Sequence, residues 1–104
     1  VYMKSISGKI LNSDNVSIGN YTIESSNDSC NNDFKSLIKT IPKEFIETII
    51  EQYELYPNKI YEYINYKVDY HKISNNELEL KYKDNKIHIN FNNWKEFKND
   101  ILLN

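Results

Sequence analysis

A chain of 104 residues at 12.4 kDa, with a net charge of −2 and a pI near 5.7, has the size of a single domain and no excess of positive charge. An apolar fraction of 39% and an aromatic fraction of 13% supply a core and exclude disorder throughout. The acidic balance and the complete absence of Arg argue against nucleic acid as a partner, which would call for a basic face and forked guanidinium contacts. No apolar run approaches the roughly 20 residues of a membrane span.

The heavy use of Asn, Ile, Lys and Tyr, with no Ala, reads as the mark of AT-rich coding, so the Asn clusters are not taken as binding signals. Residues 2–11 are mixed and β-branched, Asn12-Ser13-Asp14-Asn15 is a cluster of turn formers, and residues 16–24 return as a second strand. Together they predict an N-terminal hairpin. Val16 and Ile18 lie in one phase and Tyr21 and Ile23 in the other, so a bulge near Gly19-Asn20 is expected to give them a common face. Residues 25–32 form a polar loop, and Asp33 is placed to cap the helix that follows.

Phe34, Leu37, Ile38 and Ile41 fall at i, i+3, i+4 and i+7, one face of a short helix that Pro42 ends. Residues 42–56, PKEFIETIIEQYELY, form the organising helix. Phe45, Ile46, Ile49, Ile50 and Tyr53 make its apolar face, and Glu44, Glu47, Glu51 and Glu54 recur beside it. Residues 58–64 fit either one more helical turn or the start of a strand.

From Tyr66 the period becomes two. Tyr66, Val68 and Tyr70, then Leu78, Leu80 and Tyr82, then Ile87, Ile89 and Phe91 alternate with polar residues and predict a three-stranded antiparallel meander. With Asp84-Asn85 as a two-residue turn, Tyr82 faces Ile87, Leu80 faces Ile89 and Leu78 faces Phe91; Tyr70 lies opposite Leu80. Asn93 with Glu96 opens a last helix carrying Trp94, Phe97 and Ile101. The expected fold is a single α+β domain over residues 1–104, with an antiparallel sheet of about five strands, hairpin plus meander, and helices packed on one face.

Three constellations carry the functional reading. Glu44, Glu47, Glu51 and Glu54 form a line of like charge with Lys43 at one end only, where a helix made for solubility alone would mix signs. Such a line suits a basic protein partner, although an ordinary solvated helix face has the same appearance. Tyr61 and Tyr63 are left outside the periodic faces and suit an interface, because Tyr gives large contact area at small entropic cost; AT-rich coding also supplies Tyr for packing. On the polar face of the meander His71 lies across from Glu79, Asp69 across from Lys81, and Lys81 across from His88. Asp69, His71, Glu79, Lys81 and His88 are therefore the residues a ribonuclease-like acid–base reaction would use, though any solvent-facing strand carries polar side chains.

Neither a metal site nor a cofactor loop is expected from the spacings. Cys30 stands alone in a polar loop and cannot form an internal disulfide, and the opening VYMKSISGK lacks the apolar stretch of a signal peptide, so a reducing, cytoplasmic setting is expected. Met3 behind Val1 and Tyr2 is an irregular start that keeps open an accessory domain or fragment of a larger protein.

A small, acidic, α+β chain with an acidic helix beside Tyr61 and Tyr63 and no catalytic motif resembles, in type, the immunity proteins of bacterial toxin systems. The resemblance implies a non-catalytic protein that neutralises a basic toxin, plausibly a nuclease, by tight complex formation.

Overall fold

The computed structural model describes residues 4–26, 33–55 and 68–104. Its first two strands, β1 (Lys4–Leu11) and β2 (Ser17–Ser25), pair antiparallel around a turn that Asn12 closes. The Asn12 Oδ1 accepts from the Asp14 amide at 2.9 Å and the Val16 amide at 3.0 Å, and Asn15 takes the left-handed conformation (φ 62°) that Asn tolerates. A bulge does bring the two phases together, one residue earlier than expected. Ile10 pairs with Gly19 and Leu11 with Ser17, so Ile18 is the extra residue and turns inward with Ile23. Val16 does not share that face: it belongs to the Asn12-closed turn and is 56% exposed.

Strands β3 (Val68–Ser74), β4 (Glu77–Tyr82) and β5 (Asn85–Phe91) form the meander. Tyr70 pairs with Leu80 as the sequence predicts. The turn between β4 and β5 differs from its expected position. Lys83 (φ 49°) and Asp84 (φ 63°) are the two central residues, as a primed hairpin turn requires, so Tyr82 pairs with Asn85, Leu80 with Ile87 and Leu78 with Ile89. The register moves by two residues, which leaves every side chain on its predicted face. Lys81 consequently lies across from Lys86, not His88.

The hairpin and the meander join through β2 and β5, with Ile23 opposite Ile87 and Gly19 opposite Phe91, giving one sheet in the order β1-β2-β5-β4-β3. Gly19 is required at that join. A Cβ there would lie 2.3 Å from the Asn90 carbonyl oxygen and 2.9 Å from the Phe91 Cα, a collision with backbone that no rotamer relieves.

Three helices cover one face. Helix α1 (Phe34–Lys39) is capped by Asp33, whose carboxylate accepts from the Lys35 amide at 3.1 Å and the Ser36 hydroxyl at 2.8 Å; these bonds hold its pKa below the ordinary aspartate value. Phe34 stacks on Tyr21 of β2, and Phe34, Leu37, Ile38 and Ile41 are buried. Helix α2 (Lys43–Leu55) follows Pro42 and buries Ile46, Ile49 and Tyr53. Helix α3 (Trp94–Phe97) starts at Asn93, which caps the Glu96 amide at 3.1 Å, and continues as a π-helical turn, Lys98–Leu102, that turns both Ile101 and Leu102 inward. Against these helices the sheet presents Ile10, Ile23, Tyr70, Leu78, Leu80, Ile87, Ile89 and Phe91. No helix of the described residues is long and apolar enough to cross a membrane.

Candidate functional site

Helix α2 carries the acidic line on the side away from its core stripe. Its 13 residues set Ile46, Ile49 and Tyr53 into the core and leave Glu44, Glu47, Glu51 and Glu54 exposed. The four do not behave alike. Lys98 Nζ lies 2.7 Å from the Glu54 carboxylate and the Trp94 Nε1 donates to the same Oε2 at 2.9 Å. The bonds from Lys98 and Trp94 hold the Glu54 pKa below the ordinary glutamate value. Glu44, Glu47 and Glu51 have no ion-pair partner among the described residues.

The reason Glu54 is engaged lies beneath it. Tyr53, the preceding residue, stacks on Trp94 with ring centroids 3.9 Å apart, and Trp94 in turn packs against Phe91 and Phe97. This aromatic cluster fixes α3 against α2 and brings the indole N–H and Lys98 to the end of the acidic line. The Lys72 Nζ sits 4.3 Å from the centre of the Tyr53 ring, with Lys72 only 8% exposed. The Tyr53 hydroxyl donates to the Asn75 carbonyl, so one side chain ties α2 to the β3–β4 turn as well as to Phe91 and Trp94. Burial raises the pKa of Tyr53 and of Tyr70, because the charged phenolate loses its hydration there.

Beside the acidic line runs a groove between α2 and the C-terminal turn. Ile50, Leu55 and Leu103 line it with apolar surface, and Glu47, Glu51 and the Glu54–Lys98 pair form its rim. Leu55 is 63% and Leu103 56% exposed, two of the largest apolar side chains facing solvent among the described residues. Helical periodicity alone gives no sign of this groove, because its far wall comes from a segment 48 positions later (Leu103 against Leu55).

The second candidate surface is the face of the sheet that the described helices leave uncovered. Pairing across all five strands produces three straight rows: Ser5, Glu24, Lys86, Lys81, Asp69; Ser7, Thr22, His88, Glu79, His71; and Lys9, Asn20, Asn90, Glu77, Ser74. Asp69, His71, Glu79, Lys81 and His88 do share this face, with Glu79 between the two histidines. His88 Nε2 lies 3.1 Å from Glu77, a residue the sequence reading did not single out, and Lys86 lies 3.9 Å from Glu79. Ser7 and Thr22 bond to each other at 3.1 Å. The rows set Glu24 beside Lys86, Asp69 beside Lys81 and Glu79 beside His88, pairs whose cross-strand attraction stabilises the sheet, and Lys86 beside Lys81, a like-charge pair that opposes it. The cleft at its corner takes in Asp69 and Lys81 together with Pro42, Phe45 and Tyr82, but neither histidine.

Among the described residues no three His, Cys, Asp or Glu side chains are grouped to hold a metal ion. Tyr61, Tyr63, Cys30 and residues 58–64 lie outside the described residues. Comparison of the chain with protein-family models, with curated proteins and with solved structures finds no match, so the site stands on its own geometry.

Proposed function

We propose that this chain is a non-catalytic binding protein that neutralises a basic protein partner through the exposed acidic face of α2, in the manner of the toxin-immunity proteins it resembles. The observation that carries this reading is the contrast within one helix. Glu54 is satisfied by Lys98 and Trp94, whereas Glu44, Glu47 and Glu51 stand exposed with no ion-pair partner among the described residues. Like charges on one helix face cost a few tenths of a kcal/mol per neighbouring pair, and a cationic partner removes that cost on binding. A nuclease, whose own site must attract phosphate, presents the matching positive surface.

The reading is tested by affinity capture from a host extract with the parent chain and with Glu47→Lys/Glu51→Lys as baits. The parent is expected to retain a basic polypeptide that the variant loses, and the purified pair to associate more slowly as salt rises. Equal capture by both baits sinks the acidic-face reading. If instead the purified chain cleaves RNA and His71→Ala/His88→Ala abolishes the cleavage, the polar sheet face is an active site and the binding reading is replaced.

A further inference from the structure

We propose that the groove between α2 and the C-terminal turn seats an amphipathic basic helix of the protein partner, apolar side chains against Ile50, Leu55 and Leu103, cationic ones against Glu47 and Glu51. The inference rests on the acidic-face reading and adds the conformation of what binds there. Three features of the groove point to this occupant.

The apolar floor is open to solvent, with Leu55 and Leu103 more than half exposed, so a flat polar surface would leave it wet. The rim is unevenly charged: Lys98 is consumed by Glu54 at 2.7 Å, which leaves the negative charge of Glu47 and Glu51 unbalanced by any ion pair among the described residues. The spacing is helical. Glu47, Glu51 and Glu54 follow one another at i, i+4 and i+7 and span about 10 Å of α2, the same distance over which a helix laid alongside repeats its own i, i+4, i+7 positions.

Other occupants fit less well on the same grounds. A second copy related by a two-fold axis would set Glu47 and Glu51 against themselves, and an anionic bilayer would be repelled by the same carboxylates.

The test uses the whole chain and three labelled model peptides of about 14 residues, four helical turns: a Lys/Leu amphipathic helix, a Lys/Gln helix of equal charge and a Glu/Leu helix. Fluorescence anisotropy gives affinity, and Trp94, the one tryptophan of the chain, reports from beside Glu54. The Lys/Leu peptide is expected to bind roughly tenfold or more tighter than the Lys/Gln peptide, with a shift in Trp94 emission, and the Glu/Leu peptide not to bind. Leu55→Ser/Leu103→Ser and, separately, Glu47→Lys/Glu51→Lys are each expected to weaken the Lys/Leu peptide roughly tenfold while circular dichroism stays that of the parent.

If both lysine peptides bind equally, the Leu variant changes nothing and the Glu variant weakens both, the groove proposal is overturned and the acidic-face reading stands. If no peptide binds, or neither variant alters binding, both fall. A parent dimer in sedimentation that Leu55→Ser/Leu103→Ser dissolves, or binding of the parent to zwitterionic phosphatidylcholine vesicles, also overturns the proposal by assigning the groove to a second copy or to lipid.

Discussion

Glu51 and Glu54 sit three residues apart on the same helix and differ only in what the rest of the fold brings to them. Glu54 accepts from Lys98 and from the Trp94 indole, and these two bonds depress its pKa below the ordinary value near 4.5. A carboxyl whose folded pKa is depressed contributes stability above its unfolded pKa and loses it as pH falls through the folded one. Its side chain is 39% exposed, so solvent screening keeps the contribution small. Glu54→Gln is therefore expected to cost less than about 1 kcal/mol at neutral pH. In urea titrations at a series of pH values the parent and variant curves should converge below the carboxylate range. A constant difference down to acid pH would mean that packing, not charge, sets the effect. Lys72 shows the opposite case at the same scale, a charge taken off the solvent face and laid over the Tyr53 ring with its stem in the core.

Among the elements, the β4–β5 hairpin carries visible backbone cost. Lys83 and Asp84 both occupy left-handed conformations, which cost a side-chain-bearing residue about 1 kcal/mol each where glycine or asparagine would adopt them freely. Lys83→Asn/Asp84→Gly is accordingly expected to raise stability by roughly 0.5–1.5 kcal/mol, even after loss of the Lys83 contact over the Tyr82 ring at 5.3 Å. Chemical denaturation measures it, and a lower midpoint for the variant would show that the turn residues contribute more than their backbone geometry suggests. The hairpin of β1 and β2 solves its turn differently, with Asn at the left-handed position 15 and Asn12 bonding the loop amides.

At the scale of the whole molecule, β5 lies in the middle of the five strands and is paired on both sides, while β1 and β3 are edges. Ile87, Ile89 and Phe91 are fully buried under the helices. Their amides are expected to exchange slowest with deuterium, at the rate set by global unfolding, and the outer strand β1 to exchange faster through local opening. Nuclear magnetic resonance exchange data resolve this directly; uniform protection across the sheet would contradict it. Among the described residues the sheet is covered on one face only, which gives a dry side, where stability resides, and a polar side of cross-strand rows. The exposed acidic face of α2 belongs to neither.

Periodicity by itself determined much of this. The 3.6-residue spacing of Phe45, Ile49 and Tyr53, the alternation through β4 and β5, and the capping residues Asp33 and Asn93 fixed element type, inward face and the α+β class, because these depend only on near neighbours in the chain. A two-residue alternation cannot distinguish registers that differ by two, and so the β4–β5 turn was legible only to within that step. The acidic line was likewise readable from spacing. That Glu54 is spoken for by Lys98 and Trp94, that Leu103 completes a groove with Leu55, and that Glu77 reaches His88 were not. Each joins residues distant in sequence, and the tertiary structure decided them when Gly19 let β2 lie close against β5 and the aromatic stack of Tyr53 on Trp94 set α3 beside α2.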